Sequence, residues 1–385
     1  MTSHDLSTLC LVIFLMSASL LGTSMIEPDG GISRLYVLPE IITRISYYVY
    51  LFMLLLFSFL GAKNVSQTLT FPAPMLVLAV PYFLLLFWSI VTSSEHVRYM
   101  IMFFSIIFSP IGLVFLLKKS HIKIVAKFSI FVLSFLVFIS ALYSYFNIST
   151  HPRVAGIHNN PNLMGVWLVS LLAVVLYFQE YVKRVVVFWL VFGVSVLALF
   201  SGSRLGFGTL LLVLIPFVFK LKALPLFMLS SVAIISVYFM GTAGFNFRAT
   251  DFDSAVSDSG RIFIWLRAFE CISAEPLVGH GMLGAQNCVD IGNVHNSYLR
   301  VAVMLGLPLA TTFFVFFFAF LAYVFILRVS PYIKFYFLGL PFAFFGEDYI
   351  SGVASPFFPF FIFILALFLF DYKRISSYSS RMVKF

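Results

Sequence analysis

Charge is what this sequence has least of. Only 10% of its 385 residues are charged, against about a quarter in a soluble globular domain. With 62% hydrophobic residues beside it, that scarcity excludes a soluble globular chain and leaves an integral membrane protein. Cysteine is scarce too, and three residues are too few for a disulfide framework. Cys10 lies in an apolar run and reads as inert core. Cys271 and Cys288 share one loop, which leaves a disulfide open if that loop meets an oxidising compartment. The first residues, Met-Thr-Ser-His-Asp, lack a basic cluster, so the first apolar run reads as a retained helix rather than a cleaved signal. The apolar runs also lack period-2 alternation, which leaves helices rather than a closed barrel to span lipid. No internal repeat is evident.

What remains is a series of long apolar runs. A spanning helix needs about 20 apolar residues. Residues 6–26, 39–60, 71–92, 99–117, 124–146, 163–178, 185–200, 205–219, 224–240, 298–327, 333–345 and 353–370 meet or approach that length. The expected fold class is all-α: a polytopic membrane protein of about 12 transmembrane helices, with an outer loop that contains short helices. Residues 1–385 form one integral membrane domain, within which residues 241–297 form that loop.

Lysine and arginine set the orientation. With the N-terminus in the cytoplasm, the cytoplasmic connections hold Lys63, Lys118, Lys119, Lys123, Lys127, Lys183, Arg184, Lys220, Lys222, Arg328 and Lys334. The C-terminal cluster of Lys373, Arg374, Arg381 and Lys384 joins them. The outer side holds Arg34, Arg44, Arg98, Arg153, Arg204, Arg248, Arg261, Arg267 and Arg300, with most of the acids. The net charge of +9 is therefore largely a topology signal and needs no nucleic-acid partner. Every lysine falls inside, and every outer cation is arginine. Topology thins both types outside without selecting between them. Arginine offers a planar fork that matches phosphate and carboxylate, so the outer surface is suited to hold an anion such as phosphate. Pairing with outer acids is the alternative for any single arginine.

Residues 259–309 concentrate the charge, glycine and histidine that the rest lacks. Arg261 follows Asp258-Ser259-Gly260, where Ser259 suits an N-cap for a helix over residues 261–273. A helix start exposes unpaired N–H groups suited to phosphate, and Arg261 adds a bidentate clamp. Arg267 and Glu270 are spaced to pair with each other. His295 and Asn296 stand at the outer end of a span, and histidine changes charge near neutral pH, as a general base must. His280 reads as a loop residue and a second candidate. His151 and His158 flank Arg153 at a spacing that is poor evidence for a metal site. Arg204 sits in SGSRLGFG between two apolar runs, where a charge is costly and functional by default, or else snorkels to headgroups. The GHGMLG segment, residues 279–284, fits a dinucleotide fingerprint but follows no strand and opens no helix.

These pieces resemble the O-antigen ligase and O-antigen polymerase family of bacterial inner-membrane enzymes. The matching residues are Gly202-Ser203-Arg204, Gly260-Arg261 followed by Trp265, Pro276/Gly279/Gly281, and His295-Asn296 followed by Gly306. The AGIHNNPNLMG stretch, residues 155–165, also resembles a family segment, so the likeness runs from Arg153 to Leu309. The ligase pattern places Gly, Thr or Tyr where this chain has Leu309. The resemblance implies an undecaprenyl-diphosphate-linked oligosaccharide as donor, an acceptor glycolipid, and an active site on the periplasmic face of the inner membrane. Membrane lipids and a chain-length regulator protein are the further partners. It implies a metal-independent, inverting transfer without a cofactor. His295 would activate the acceptor hydroxyl, and Arg204 and Arg261 would hold the diphosphate; Arg153, Asn296, Arg267 and His280 are additional candidates. Polymerase is the expected activity. Transfer of the glycan to lipid A-core by a ligase is the alternative, and a flippase of polyisoprenoid-linked sugars the rival outside enzymes. The long outer loop argues against the flippase, which would carry its charges within spans.

Overall fold

A computed structural model describes residues 2–20, 40–68, 72–92, 96–147, 161–201, 204–220, 261–289, 294–346 and 357–382. Every secondary-structure element among these residues is helical. The first half is α1 (Ser3–Ser19), α2 (Glu40–Thr68), α3 (Ala73–Val91), α4 (His96–Lys119), α5 (Ile122–Asn147) and α6 (Pro161–Tyr177). The second half is α7 (Arg184–Phe200), α8 (Arg204–Lys220), α9 (Arg261–Ala274), α10 (Ser297–Ile326), α11 (Pro331–Gly346) and α12 (Phe357–Met382). Each expected span has a helix at its place, except residues 224–240, which lie outside the described residues. Five segments are long and apolar enough to cross a membrane: Ile45–Ser66, Ala73–Val91, His96–Lys118, Ile122–Leu142 and Ser297–Ile326. Shorter apolar helices pack among them, and the chain is a multi-pass membrane protein.

Lipid provides no hydrophobic drive between helices, so close contact needs small residues and shared hydrogen bonds. α2 and α4 meet this way. The Ser58 and Ser109 hydroxyls are 2.7 Å apart, and Ser109 donates to the Leu54 carbonyl at 3.1 Å. One turn on, Gly61 faces Gly112, and a Cβ on either would run into the other helix's backbone. The two pairs keep one register, so α2 and α4 run parallel. Aromatic rings fill other contacts: Phe320 of α10 packs edge-on against Phe337 of α11 and Phe368 of α12 at 5.5 and 5.9 Å.

Polar latches define one end of the bundle. Asp371 of α12 accepts from the Tyr177 hydroxyl at 2.8 Å and from the Ser330 N–H at 2.9 Å, tying α6 and the α10–α11 turn to α12. Thr8 of α1 accepts from the His121 N–H at 3.0 Å, at the α4–α5 turn. Following the chain direction from these latches, Lys118, Lys123, Lys183 and Lys334 gather at this end. Arg98, Arg204, Arg261 and Arg300 stand on helix starts at the other. Gly112→Leu should break the α2–α4 approach by overpacking and cost about 1–3 kcal/mol. A lower midpoint of thermal unfolding in detergent is the expected result, and an unchanged midpoint would show that the crossing carries no stability.

Candidate active site at the arginine end

The site is built around a break in α10. Gly306 has φ 74° and ψ 168°, outside the helical region, and Pro308 has no N–H to give. Both features release groups from the helical ladder. The Leu307 N–H turns away and donates to the Pro276 carbonyl at 2.7 Å. The Val303 carbonyl, left free by that turn, accepts from the His280 N–H at 2.8 Å. The Met304 carbonyl, which Pro308 cannot serve, accepts from the Gly281 N–H at 3.1 Å and from the Trp88 indole at 2.9 Å. These three released groups therefore have partners, as a buried backbone requires. The partners come mainly from the turn over residues 276–281. Gly279 there has φ 64°, and a Cβ on it would collide with the Gly306 nitrogen and the Met304 carbonyl. A Cβ on Gly306 would meet the Leu277 carbonyl. Gly279 and Gly281 of the GHGMLG segment thus serve this backbone docking.

A disulfide joins Cys271, at the end of α9, to Cys288, just past a one-turn helix over Gly284–Asn287. It spans 17 residues, a loop whose closure is worth about 3 kcal/mol. The His280 Nε2–H donates to the Cys271 carbonyl at 2.8 Å, so this histidine is committed to the turn. Cys271, His280 and Cys288 come close enough to suggest a metal site, but the two sulfurs are bonded to each other and neither is a thiolate ligand.

α9 buries Ala268, Cys271 and Ile272 and leaves Ile262, Phe263, Leu266 and Phe269 exposed. It is a surface helix that is apolar nearly all round. Arg261 is its first residue and is half-buried. One turn on, the Trp265 indole donates to the Val294 carbonyl at 3.2 Å and packs edge-on against Phe345 of α11 at 5.4 Å. Val294 precedes His295, so Arg261 stands one helical turn from a residue bonded next to the histidine. His295 is half-buried with φ 51°, a left-handed conformation that costs a non-glycine residue about 1–2 kcal/mol. Asn296 then caps α10, its Oδ1 accepting from the Tyr298 and Leu299 N–H groups at 2.9 and 3.1 Å.

Arg204 is the first residue of α8. α8 packs on α11 where Thr209 meets Gly339. α11 runs on to Phe345 against Trp265, so the start of α8 faces the same end as Arg261 and His295. Arg267 pairs with Glu270 at 3.2 Å in an exposed bridge, the local pairing expected from the spacing. Arg153, residues 241–260 and residues 290–293 lie outside the described residues. The sequence reading missed Trp88 and Trp265 as donors. An indole one turn after Arg261 was the readable signal for the second.

Residues 186–314 match the family model described as O-antigen ligase. No curated protein matches the chain. The matched stretch runs from α7 through the break in α10 and contains Arg204, Arg261 and His295. Gly306→Ala should lose the turn's docking as well as the left-handed backbone. The expected result is a loss of most activity with a lower unfolding midpoint, checked by glycan synthesis and thermal unfolding of the purified protein.

Proposed function

We propose that this chain, which belongs to the O-antigen ligase/polymerase family, is an O-antigen polymerase acting on lipid-linked repeat units. Glycosyl transfer of the ligase/polymerase type is the family's general activity. The donor is an undecaprenyl-diphosphate-linked glycan and the acceptor another lipid-linked repeat. The acceptor hydroxyl attacks the anomeric carbon as His295 takes its proton. The bond from that carbon to the diphosphate oxygen breaks, and undecaprenyl diphosphate leaves with the electron pair, inverting the carbon. Arg204 and Arg261, each first in its helix, hold the diphosphate and stabilise the charge that develops on it. The observation that carries this reading is the hydrogen bond from Trp265, one helical turn after Arg261, to the residue before His295. It supports reading Arg261 as a phosphate-suited cation and His295 as a base at one end of the bundle. We place that end on the periplasmic face of the inner membrane, with both termini cytoplasmic, from the lysine distribution. Residues 241–297 then form the catalytic loop, and a chain-length regulator is a fitting partner.

The choice of polymerase rests on charge. Acids outnumber arginines on the assigned outer side, with Asp251, Asp253 and Asp258 shortly before Arg261 in sequence and Glu347-Asp348 directly after α11. A ligase must admit a phosphorylated, anionic core oligosaccharide, which that excess opposes. A lipid-linked repeat with a neutral non-reducing end meets less opposition. Leu309, where ligases carry Gly, Thr or Tyr, agrees. The ligase reading has one observation in its favour, the description of the matching family.

Arg204→Lys and Arg261→Lys should each lose most activity while keeping charge, because lysine cannot form the bidentate contact. His295→Ala should slow turnover by about 10²–10⁴-fold and spare donor binding, and near-normal turnover would remove the base. Deleting the gene and running the host lipopolysaccharide on a gel separates the acceptors. Core carrying a single repeat is the polymerase result. Bare core, with long glycan accumulating on the lipid carrier, is the ligase result.

A further inference from the structure

We propose that Trp265 is a positioning residue whose indole sets the backbone carrying His295 against the helix that begins at Arg261. The inference rests on reading His295 as the base. It begins with the Val294 carbonyl, which accepts the Trp265 Nε1–H at 3.2 Å. That carbonyl belongs to the peptide plane immediately before His295, so its direction governs the rotation about the His295 N–Cα bond. The φ there is 51°, a conformation that an unconstrained histidine would leave. On the other flank, Asn296 is fixed by its cap on α10. His295 is thus held between an indole on one side and a helix cap on the other.

The indole is itself fixed. Its ring lies edge-on against Phe345 at 72° between planes, and its helix is tied down at Ala268, Cys271 and the disulfide. Swinging the ring away would also leave the buried Val294 carbonyl without this donor, and a buried carbonyl needs one. Arg261 precedes Trp265 by one turn of the same helix. The single hydrogen bond from Trp265 therefore links the start of a phosphate-binding helix to the backbone of the base. A base must reach the proton it removes within about 3 Å, so freeing one peptide plane displaces it from its task. The diphosphate contacts, made from helix starts, do not depend on that plane. The role should appear in turnover and not in donor affinity.

Trp265→Phe keeps the ring against Phe345 and removes only the N–H. In full-length protein reconstituted in lipid bilayers with lipid-linked repeat units, turnover should fall about 5- to 10-fold, the size of one such hydrogen bond. The donor dissociation constant should stay within about two-fold, which also reports a folded protein. Placed in a His295→Ala background, Trp265→Phe should cause no further loss, because the indole acts through the histidine. Phe345→Leu is the second variant. It loosens the ring, keeps the N–H, and should show the same selective loss only when His295 is present. Wild-type turnover in Trp265→Phe overturns the positioning role and leaves the base standing. Losses that multiply in the double variant overturn it as well, since the indole then acts apart from His295. If His295→Ala alone turns over normally, the base reading has failed, and that variant by itself reveals it.

Discussion

The hydrogen bonds exchanged between the broken helix α10 and the turn over residues 276–281 are what the rest of the arginine end depends on. Lipid offers no donors or acceptors, so a helix that breaks within a bundle must find protein partners for each group it releases. Gly306 and Pro308 release the Leu307 N–H and the carbonyls of Val303 and Met304, and the turn with Trp88 satisfies all three. The exchange is reciprocal. α10 can break because the turn is there, and the turn keeps its place because α10 breaks. At about 1 kcal/mol net for each such bond, the set is comparable to the disulfide that closes the same loop.

From that junction the geometry spreads outward by short, rigid links. The disulfide anchors the end of α9, Trp265 anchors its middle, and Arg261 is left at its start. On the other branch, Asn296 caps α10 and His295 directly precedes it, about three turns before the break. Both candidate groups are thus set by backbone bonds and ring packing rather than by long side chains reaching across open space. The proposed transfer calls for such an arrangement, since small errors of placement at the reacting atoms are costly.

Much of this was legible in the sequence, and the illegible part has a physical cause. Hydrophobic runs of spanning length announced the helices, because the requirement they meet is length and apolarity alone. Residues 333–345 looked short for a span, and α11 remains a 16-residue helix. His295-Asn296, Gly306 and the Pro276/Gly279/Gly281 pattern were visible as separate motifs. Their docking was not visible, because its bonds join backbone to backbone and leave no side-chain signature beyond the glycines that permit it. The division of Asn296 from His295 was equally hidden. A His-Asn pair does not say which member caps the helix until the helix start is placed at Ser297. The pairing of Cys271 with Cys288 was open for a similar reason, since shared loop membership says nothing about the distance between two side chains.

The sorting of lysine from arginine joins topology to chemistry. Charge-dependent insertion thins both cations on the translocated side and has no reason to choose between them. A phosphate clamp at the edge of the hydrocarbon does have one. Lysine shifts its pKa readily when it is desolvated and can lose its charge, whereas guanidinium keeps it and presents its donors in a fixed fork. A diphosphate entering from the membrane brings two phosphoryl groups into a region where water is scarce and each unmatched oxygen is expensive. In the proposed site, arginines at two helix starts would answer both needs, because helix N–H groups and a guanidinium can address the same anion from fixed directions. Among the described residues that end carries arginine and no lysine, and the proposed diphosphate leaving group accounts for that choice where orientation in the membrane alone does not.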